Sequence, residues 1–150
     1  MKLALIQTKQ NELYNFPGIR KFEKNEALRL RNEYMDEVLR LTEEAAKKGA
    51  DLIVTTEAVN FSGHFSKVKA KYSDLYREME EIENAVQNER QKDVPAEKSD
   101  ADIPQDEEYR FAAIAATSHV MILAGLVRKA NGKPYNRTVF WGRDGKVINV

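Results

Sequence analysis

The sequence predicts an α/β fold with a mixed β-sheet, and three observations support that prediction. Lys2 to Thr8 is a short apolar segment, and Ala50 to Glu57 is a second one whose apolar and β-branched residues follow one another without alternation. Such runs are typical of buried strands. Between them, Asn25 to Lys48 has helical spacing, so the three segments form a βαβ unit with parallel strands. Near the carboxyl end, Asp144-Gly145 marks a hairpin, which adds antiparallel pairing.

The helical segment has clear signals at both ends. Asn25 is a suitable N-cap, while Lys47, Lys48 and Gly49 form a C-terminal signal through charge–dipole attraction and a left-handed cap. Apolar residues recur at helical intervals, and acidic and basic residues occupy the remaining positions. The predicted buried face consists of Ala27, Leu28, Leu30, Tyr34, Met35, Val38, Leu39, Leu41, Ala45 and Ala46. We therefore expect one long amphipathic helix.

The second half of the chain predicts further elements of the same sheet. They are a helix from Gln105 to Thr117, strands from Val120 to Val127 and from Pro134 to Trp141, a turn over Gly142-Arg143-Asp144-Gly145, and a strand from Lys146 to Val150. Phe140 and Trp141 are neighbours in a strand, so one of them should face the core and the other a sheet partner or an interface.

A charged insertion separates the two halves, from Lys67 to Glu108, with 13 acidic residues against 7 basic ones. Its first part, Lys67 to Gln91, has apolar residues at helical intervals and predicts an amphipathic helix. Its second part, Lys92 to Asp106, contains two prolines and predicts an exposed loop. The insertion is interpreted as a solvated segment; an active-site cover and an oligomer contact are the functional alternatives.

Composition excludes several classes of protein. The 150 residues suit one domain, and 24 basic against 24 acidic side chains give no global attraction to nucleic acid or to an anionic membrane. The longest apolar stretch, Ala112 to Val127, contains Thr117, Ser118 and His119 and is too short to cross a bilayer. The amino-terminal apolar run is shorter than the roughly 7–15 residues of a signal peptide, so we expect a cytoplasmic protein.

Several kinds of site are excluded as well. The chain has no cysteine, which excludes disulfides, thiolate zinc sites and a thiol nucleophile among these residues. No glycine-rich phosphate loop follows the first strand, and His64 and His119 have no metal-ligand spacing, so neither a metal nor a cofactor is expected. His119 is interpreted as a hydrogen-bonded structural residue at the mouth of a strand.

Glu57 is the most informative polar residue. It follows an apolar strand at the carboxyl end, which is the edge of an open α/β sheet where ligands bind. Asn60, Phe61 and His64 come shortly after it. Asn60 is interpreted as a turn residue or a substrate contact, Phe61 as a core or pocket residue, and His64 as exposed or pocket-lining. Asn136 is expected to hold a neighbouring loop by side-chain hydrogen bonds rather than to touch substrate.

Three segments together resemble the amino-terminal half of the nitrilase superfamily of carbon–nitrogen hydrolases. They are LALIQT, AAKKGADLIVTTE and ILAGLVRKANGKPYNRTVFWGRDGKVINV. The family uses a Glu–Lys–Cys triad, and its Glu matches Glu57. Other matching positions are Gly125, Tyr135, Asn136, Thr138, Asp144 and Gly145. The chain departs from the family pattern at Thr56, where Pro is common, and at Arg137, which separates Asn136 from Thr138.

The resemblance implies the amino-terminal half of an α-β-β-α sandwich and hydrolysis of a small amide, carbamoyl compound or nitrile. It implies Glu57 as general base, Tyr135 and Asn136 as structural residues near the site, and no cofactor. The Lys and Cys of the triad match positions beyond Val150, so we expect a partial domain that is inactive by itself. Half of a sandwich leaves a sheet face and edge uncovered, so we also expect a homo-oligomer.

Two other functions stay open. One is a noncatalytic α/β module that binds another protein through the acidic insertion or an exposed sheet edge. The other is a different α/β ligand-binding domain that shares only strand–helix–strand patterning with the family.

Overall fold

The computed structural model describes residues 1–9, 24–60, 106–130 and 133–149. Within these ranges the elements are β1 (Leu3–Ile6), α1 (Lys24–Lys47), β2 (Leu52–Thr55), α2 (Asp106–Ser118), β3 (Met121–Ala130), β4 (Lys133–Trp141) and β5 (Val147–Asn149). The elements predicted for these ranges are all present, with bounds that differ by at most three residues. The predicted helix from Lys67 to Gln91, and the predicted loop that follows it up to Gln105, lie outside the described residues.

The described strands form one mixed sheet in the order β1-β2-β3-β4-β5. β1, β2 and β3 are parallel, with α1 returning the chain from β1 to β2 and α2 preceding β3. β3 and β4 pair antiparallel along a ladder that runs from Ile122 opposite Trp141 to Ala130 opposite Lys133, and β5 adds to β4. The predicted α/β class, the mixed sheet and the hairpin at Asp144-Gly145 are confirmed.

One face of the sheet packs against both helices, and we call it the covered face. Its buried residues are Ile6, Ile53, Ile122, Ala124, Leu126, Val139 and Trp141. The two helices contribute Met35, Val38, Leu39, Phe111 and Ala115 to the same core. The ring of Trp141 stacks on that of Phe111 with centroids 5.6 Å apart, so the core continues from the sheet into α2.

Successive side chains of each strand point to opposite faces of the sheet. We call the face opposite the helices the open face. Among its apolar residues are Leu3, Leu5, Leu52, Val54, Met121, Leu123 and Phe140. Leu3 is 56% exposed and Leu5 71% exposed, while the others are half-buried. The expectation that Trp141 and Phe140 face different environments is confirmed, because Trp141 is in the core and Phe140 is on the open face.

Both helices end in the left-handed conformation. Gly49 has φ +80°, and the N–H groups of Gly49 and Ala50 donate to the carbonyls of Ala46 and Ala45. These two hydrogen bonds form a Schellman cap, which confirms the predicted end of α1. His119 takes the corresponding position after α2, with φ +51°, and it is exposed there. Neither of these two helices combines the length and apolar character that crossing a bilayer requires.

A buried ion pair joins the two helices. Nη2 of Arg31 lies 3.0 Å from Oε1 of Glu107, and the two side chains are only 1% and 3% exposed. The sequence-based expectation that the charged residues of α1 lie off its buried face is therefore wrong at Arg31. Its partner lies 76 residues away, so the polarity pattern of the helix alone carries no sign of the pair. Two charges buried this deeply are tolerated only when they are paired.

Candidate active site

Glu57 lies in the turn that follows β2, at the carboxyl end of the parallel strands. The side chain is exposed, so its carboxylate can be reached from solvent. The next residue, Ala58, has φ +52°, a conformation that residues other than glycine seldom adopt. Backbone of this kind persists only where its surroundings hold it, and it is common at functional sites. We therefore expect contacts with the rest of the sheet to hold the turn from Thr56 to Asn60 in place.

Gly125 on β3 allows the turn to cross the open face of the sheet. A Cβ atom at this position would lie 2.8 Å from Cα of Glu57 and 3.1 Å from the carbonyl oxygen of Thr56. Both are backbone atoms, so they cannot move aside as a flexible side chain can. The glycine of the apolar–Gly–apolar strand pattern is thus required by the close approach of the backbone that carries Glu57.

Asn60 attaches the end of the turn to β3. The backbone N–H of Val59 donates to the carbonyl of Gly125 at 2.9 Å. The Asn60 side chain then makes two hydrogen bonds with Val127: Nδ2 donates to its carbonyl at 3.0 Å, and Oδ1 accepts from its N–H at 2.7 Å. Asn60 is 2% exposed. Its amide continues the hydrogen-bond ladder of β3 beyond the end of β2, which is a structural role; a contact with substrate stays a prediction.

Asn136 brings β4 into the site. Its Nδ2 donates a hydrogen bond of 2.6 Å to Oε1 of Glu57, a residue 79 positions away in the sequence. Arg137 and Val139 of β4 lie on the covered face, so Asn136, which alternates with them, lies on the open face. The turn crosses this same face above Gly125. The structure therefore brings together Glu57 and Asn136 at the carboxyl end of β2.

Of the remaining predicted site residues the structure describes Tyr135, which it does not bring to this point. Tyr135 alternates to the opposite side of β4 from Asn136, where it is 36% exposed. Phe61 and His64 lie outside the described residues, so their roles stay predictions. Within the described ranges, no three His, Asp or Glu side chains are grouped closely enough to hold a metal ion.

Sequence patterns carry no sign of two features of the site. One is the left-handed conformation of Ala58, which alanine rarely adopts, and the other is the pair of hydrogen bonds between Asn60 and Val127, 67 positions apart. Asn136 is expected to hold a neighbouring loop, and its side chain does donate to the turn after β2, but its partner there, Glu57, lies 79 positions away and cannot be named from the sequence. The one available signal is Gly125, since a glycine inside an apolar strand indicates that another backbone passes close by.

Chemically, the arrangement is an accessible carboxylate on a fixed backbone, with one oxygen hydrogen-bonded to a neutral amide. Such a group can accept a proton or bind a cationic or hydrogen-bond-donating ligand.

The family model for carbon–nitrogen hydrolases matches residues 2–150, which is nearly the whole chain. The chain belongs to the carbon–nitrogen hydrolase family. This confirms the resemblance to the nitrilase superfamily that the three sequence segments indicate.

Solved structures show which fold this carbon–nitrogen hydrolase chain shares. An amidase from Nesterenkonia sp. aligns with a TM-score of 0.52 at 17% identity, over 99% of this chain and 41% of the amidase. A carbon–nitrogen hydrolase from Helicobacter pylori G27 aligns with a TM-score of 0.50 at 21% identity, over 79% of this chain and 33% of the other. The chain thus spans about two fifths of the length of the Nesterenkonia amidase. No curated relative matches it.

Two further structures are of mutants of an amidase from Nesterenkonia sp. AN1. One shows the result of Michael addition of acrylamide at the active-site cysteine, and the other is a complex with butyramide. At this level of identity the likeness to the present chain shows the fold alone.

Proposed function

We propose that the protein to which these 150 residues belong hydrolyses the carbon–nitrogen bond of a small amide, with Glu57 as general base. The observation that supports this most is the solvent-accessible carboxylate of Glu57, which lies on the open face at the carboxyl end of β2 and is hydrogen-bonded to Asn136. A general base must be reachable by substrate and positioned against it; the exposure of Glu57 supports the first condition, and its fixed backbone and the bond from Asn136 support the second. Membership of the carbon–nitrogen hydrolase family supports the reaction class.

The proposed reaction uses a Glu–Lys–Cys triad. Glu57 accepts the proton of a cysteine thiol, and the thiolate attacks the amide carbon. A lysine stabilises the negative charge that develops on the oxygen, as an oxyanion-hole donor does. Glu57 gives this proton to the amide nitrogen, which leaves as ammonia, and is again a carboxylate. It then takes a proton from the water that attacks the thioester, and this proton returns to the cysteine sulfur as the acid leaves. Short aliphatic amides are the proposed substrates, because the structurally similar Nesterenkonia amidase binds butyramide; carbamoyl compounds and nitriles are alternatives from the sequence.

The thiol of this route is not among the present residues, because they include no cysteine. We therefore propose that the 150-residue chain does not hydrolyse amides by itself. The open face is the surface against which the remaining catalytic residues would be placed, since Glu57 and Asn136 are both presented there.

The test measures ammonia release from butyramide and acetamide. The purified 150-residue chain is compared with the product of the longest reading frame that contains its sequence. We expect no release above background from the chain and turnover by the longer product. Turnover by the chain alone would contradict the thiol mechanism. A reading frame that adds no cysteine, or a longer product without activity, would contradict amide hydrolysis and favour the noncatalytic module.

A protein-interaction module is the second candidate, and the open face favours it. Leu5 is 71% exposed on β1, which is an edge strand of the described sheet, and apolar residues of β2, β3 and β4 continue the surface. Exposed apolar surface and strand edges promote association, so we propose that the chain forms homo-oligomers through this face.

Sedimentation velocity over a range of concentrations tests this association. Leu5→Lys should lower the sedimentation coefficient towards that of a monomer. Tyr109→Lys is the matched control, because Tyr109 is 61% exposed on α2, away from the open face. A monomer at every concentration, or equal effects of the two substitutions, would contradict association through the open face.

The cytoplasmic location stays a prediction, which cell fractionation tests.

A further inference from the structure

The backbone of Glu57 is fixed by several contacts, whereas its side chain has a single described one. Gly125 lies directly beneath its Cα atom, and the bonds of Val59 and Asn60 to β3 hold the rest of the turn. A glutamate side chain still rotates about three bonds when its backbone is fixed, and an exposed one has no packing to stop that rotation. Among the described residues, the hydrogen bond from Asn136 to Oε1 is the contact that limits this rotation.

We propose that Asn136 is the positioning residue of Glu57, holding the carboxylate in one orientation on the open face. This inference rests on the proposed role of Glu57 as general base. The amide of Asn136 occupies Oε1 at 2.6 Å and leaves the second carboxylate oxygen to accept the proton. Because the amide is neutral, it orients the carboxylate without forming the ion pair that a lysine or arginine would form there.

The position of Asn136 in the sheet separates this role from a structural one. The β3–β4 ladder pairs residues continuously on both sides of Asn136, from Ile122 opposite Trp141 to Ala130 opposite Lys133. The side chain itself is exposed and lies outside the buried core. Replacing it should therefore leave the sheet intact, while removing the bond that orients Glu57.

The test compares three variants of the 150-residue chain. Asn136→Leu keeps the size of the side chain and removes the donor, while Asn136→Gln keeps a donor on a longer side chain. Thr138→Val is the matched control, because Thr138 is also exposed on β4, two residues further along on the same face. NMR measures the three-bond couplings across the side chain of Glu57, which report whether it keeps one rotamer or averages among several.

We expect couplings of a single rotamer in the unsubstituted chain and in Thr138→Val, averaged couplings in Asn136→Leu, and partial recovery in Asn136→Gln. Averaged couplings in the unsubstituted chain, or a single rotamer in Asn136→Leu, would overturn the proposal. This readout does not depend on activity or on loss of stability. A merely structural role of Asn136 would leave the rotamers of Glu57 unchanged in every variant that folds.

Activity separates this inference from the proposed function. In the product of the whole reading frame, Asn136→Leu should lower kcat roughly 10- to 100-fold with little change in KM, because a misplaced base still permits substrate binding. An unsubstituted product without amide hydrolysis would contradict the proposed function, and the couplings would still decide whether Asn136 orients Glu57. An active Asn136→Leu variant with unchanged kcat would contradict the positioning role alone.

Discussion

The covered and open faces of the sheet are made by the same strands but differ in what surrounds them. On the covered face, Ile53, Ile122 and Leu126 are fully buried beneath α1 and α2. On the open face, Leu5 is 71% exposed, and the turn that carries Glu57 crosses β3 at Gly125. Burying one aliphatic or aromatic side chain contributes about 1.5–3 kcal/mol, so the covered face provides most of the stability of the described fold. The polar site lies on the other face, which implies that substitutions can separate stability from function.

The largest expected effect is on the covered face. Trp141→Ala should lower the free energy of unfolding by about 3–5 kcal/mol, because it removes a buried ring that stacks on Phe111. Leu5→Ala, on the open face, should change it by no more than about 0.5 kcal/mol. Urea denaturation followed by far-UV circular dichroism at low protein concentration measures both. Equal losses from the two substitutions would remove the distinction between the faces.

Gly125→Ala tests the point where the open face carries the candidate site. The added Cβ would lie 2.8 Å from the Glu57 backbone, so the turn must move, at a cost of about 1–3 kcal/mol in the free energy of unfolding. The bonds of Asn60 and Asn136 should weaken together, and the side-chain amide resonances of both residues report this by NMR. Thr138→Ala, opposite Gly125 on β4, is the control and should leave both resonances in place. Unmoved resonances in Gly125→Ala would mean that the turn does not need the glycine.

The smallest expected change in stability is at Asp51, which lies at the other end of β2 from the site. The backbone N–H of Lys2 donates to its carboxylate at 2.6 Å, and this bond, aided by the positive charges of the amino terminus and Arg143, lowers the pKa of Asp51. A pKa lowered by folding contributes stability above the ordinary value of the group, near 3.8, and this contribution is lost as pH falls through the folded-state pKa.

Thermal unfolding between pH 2 and pH 7 measures the contribution of Asp51. Asp51→Asn should melt slightly below the unsubstituted chain at pH 5–7, and the two curves should converge at the acidic end. Asp36→Asn is a control at another exposed carboxylate, whose ion-pair partner Arg110 lies on α2. If the difference in melting temperature between Asp51→Asn and the unsubstituted chain is the same at every pH, the lowered pKa of Asp51 is not its cause.

Local signals account for the parts of the fold that the sequence predicts well. Gly49 ends α1 with positive φ, and Asp144-Gly145 forms the turn between β4 and β5, because each depends only on its immediate neighbours. Helical periodicity, which is also local, correctly predicts that Leu30, Met35, Val38 and Leu39 of α1 are buried. Arg31 is the exception, since its burial depends on a carboxylate that reaches it from α2.

The candidate site is only partly predictable, for a related reason. The sequence predicts Glu57 as a site residue because it comes directly after an apolar strand, and ligands of open α/β sheets bind at the carboxyl ends of the strands. What holds Glu57 depends on which residues β3 and β4 bring next to it, and that in turn depends on strand register. Gly125 and Asn136 fit the family pattern in the sequence, but the close approach and the hydrogen bond that explain them appear only in the structure.

The proposed function depends most on Glu57 as general base, and one substitution tests this role directly. In the product of the whole reading frame, Glu57→Gln keeps the shape of the side chain but removes its basic carboxylate. The rate of ammonia release from butyramide should fall roughly 10²- to 10⁴-fold, the usual contribution of a general base. Glu43→Gln, at an exposed position on α1, should leave the rate unchanged. Equal rates for Glu57→Gln and the unsubstituted protein would contradict the role of Glu57 as general base.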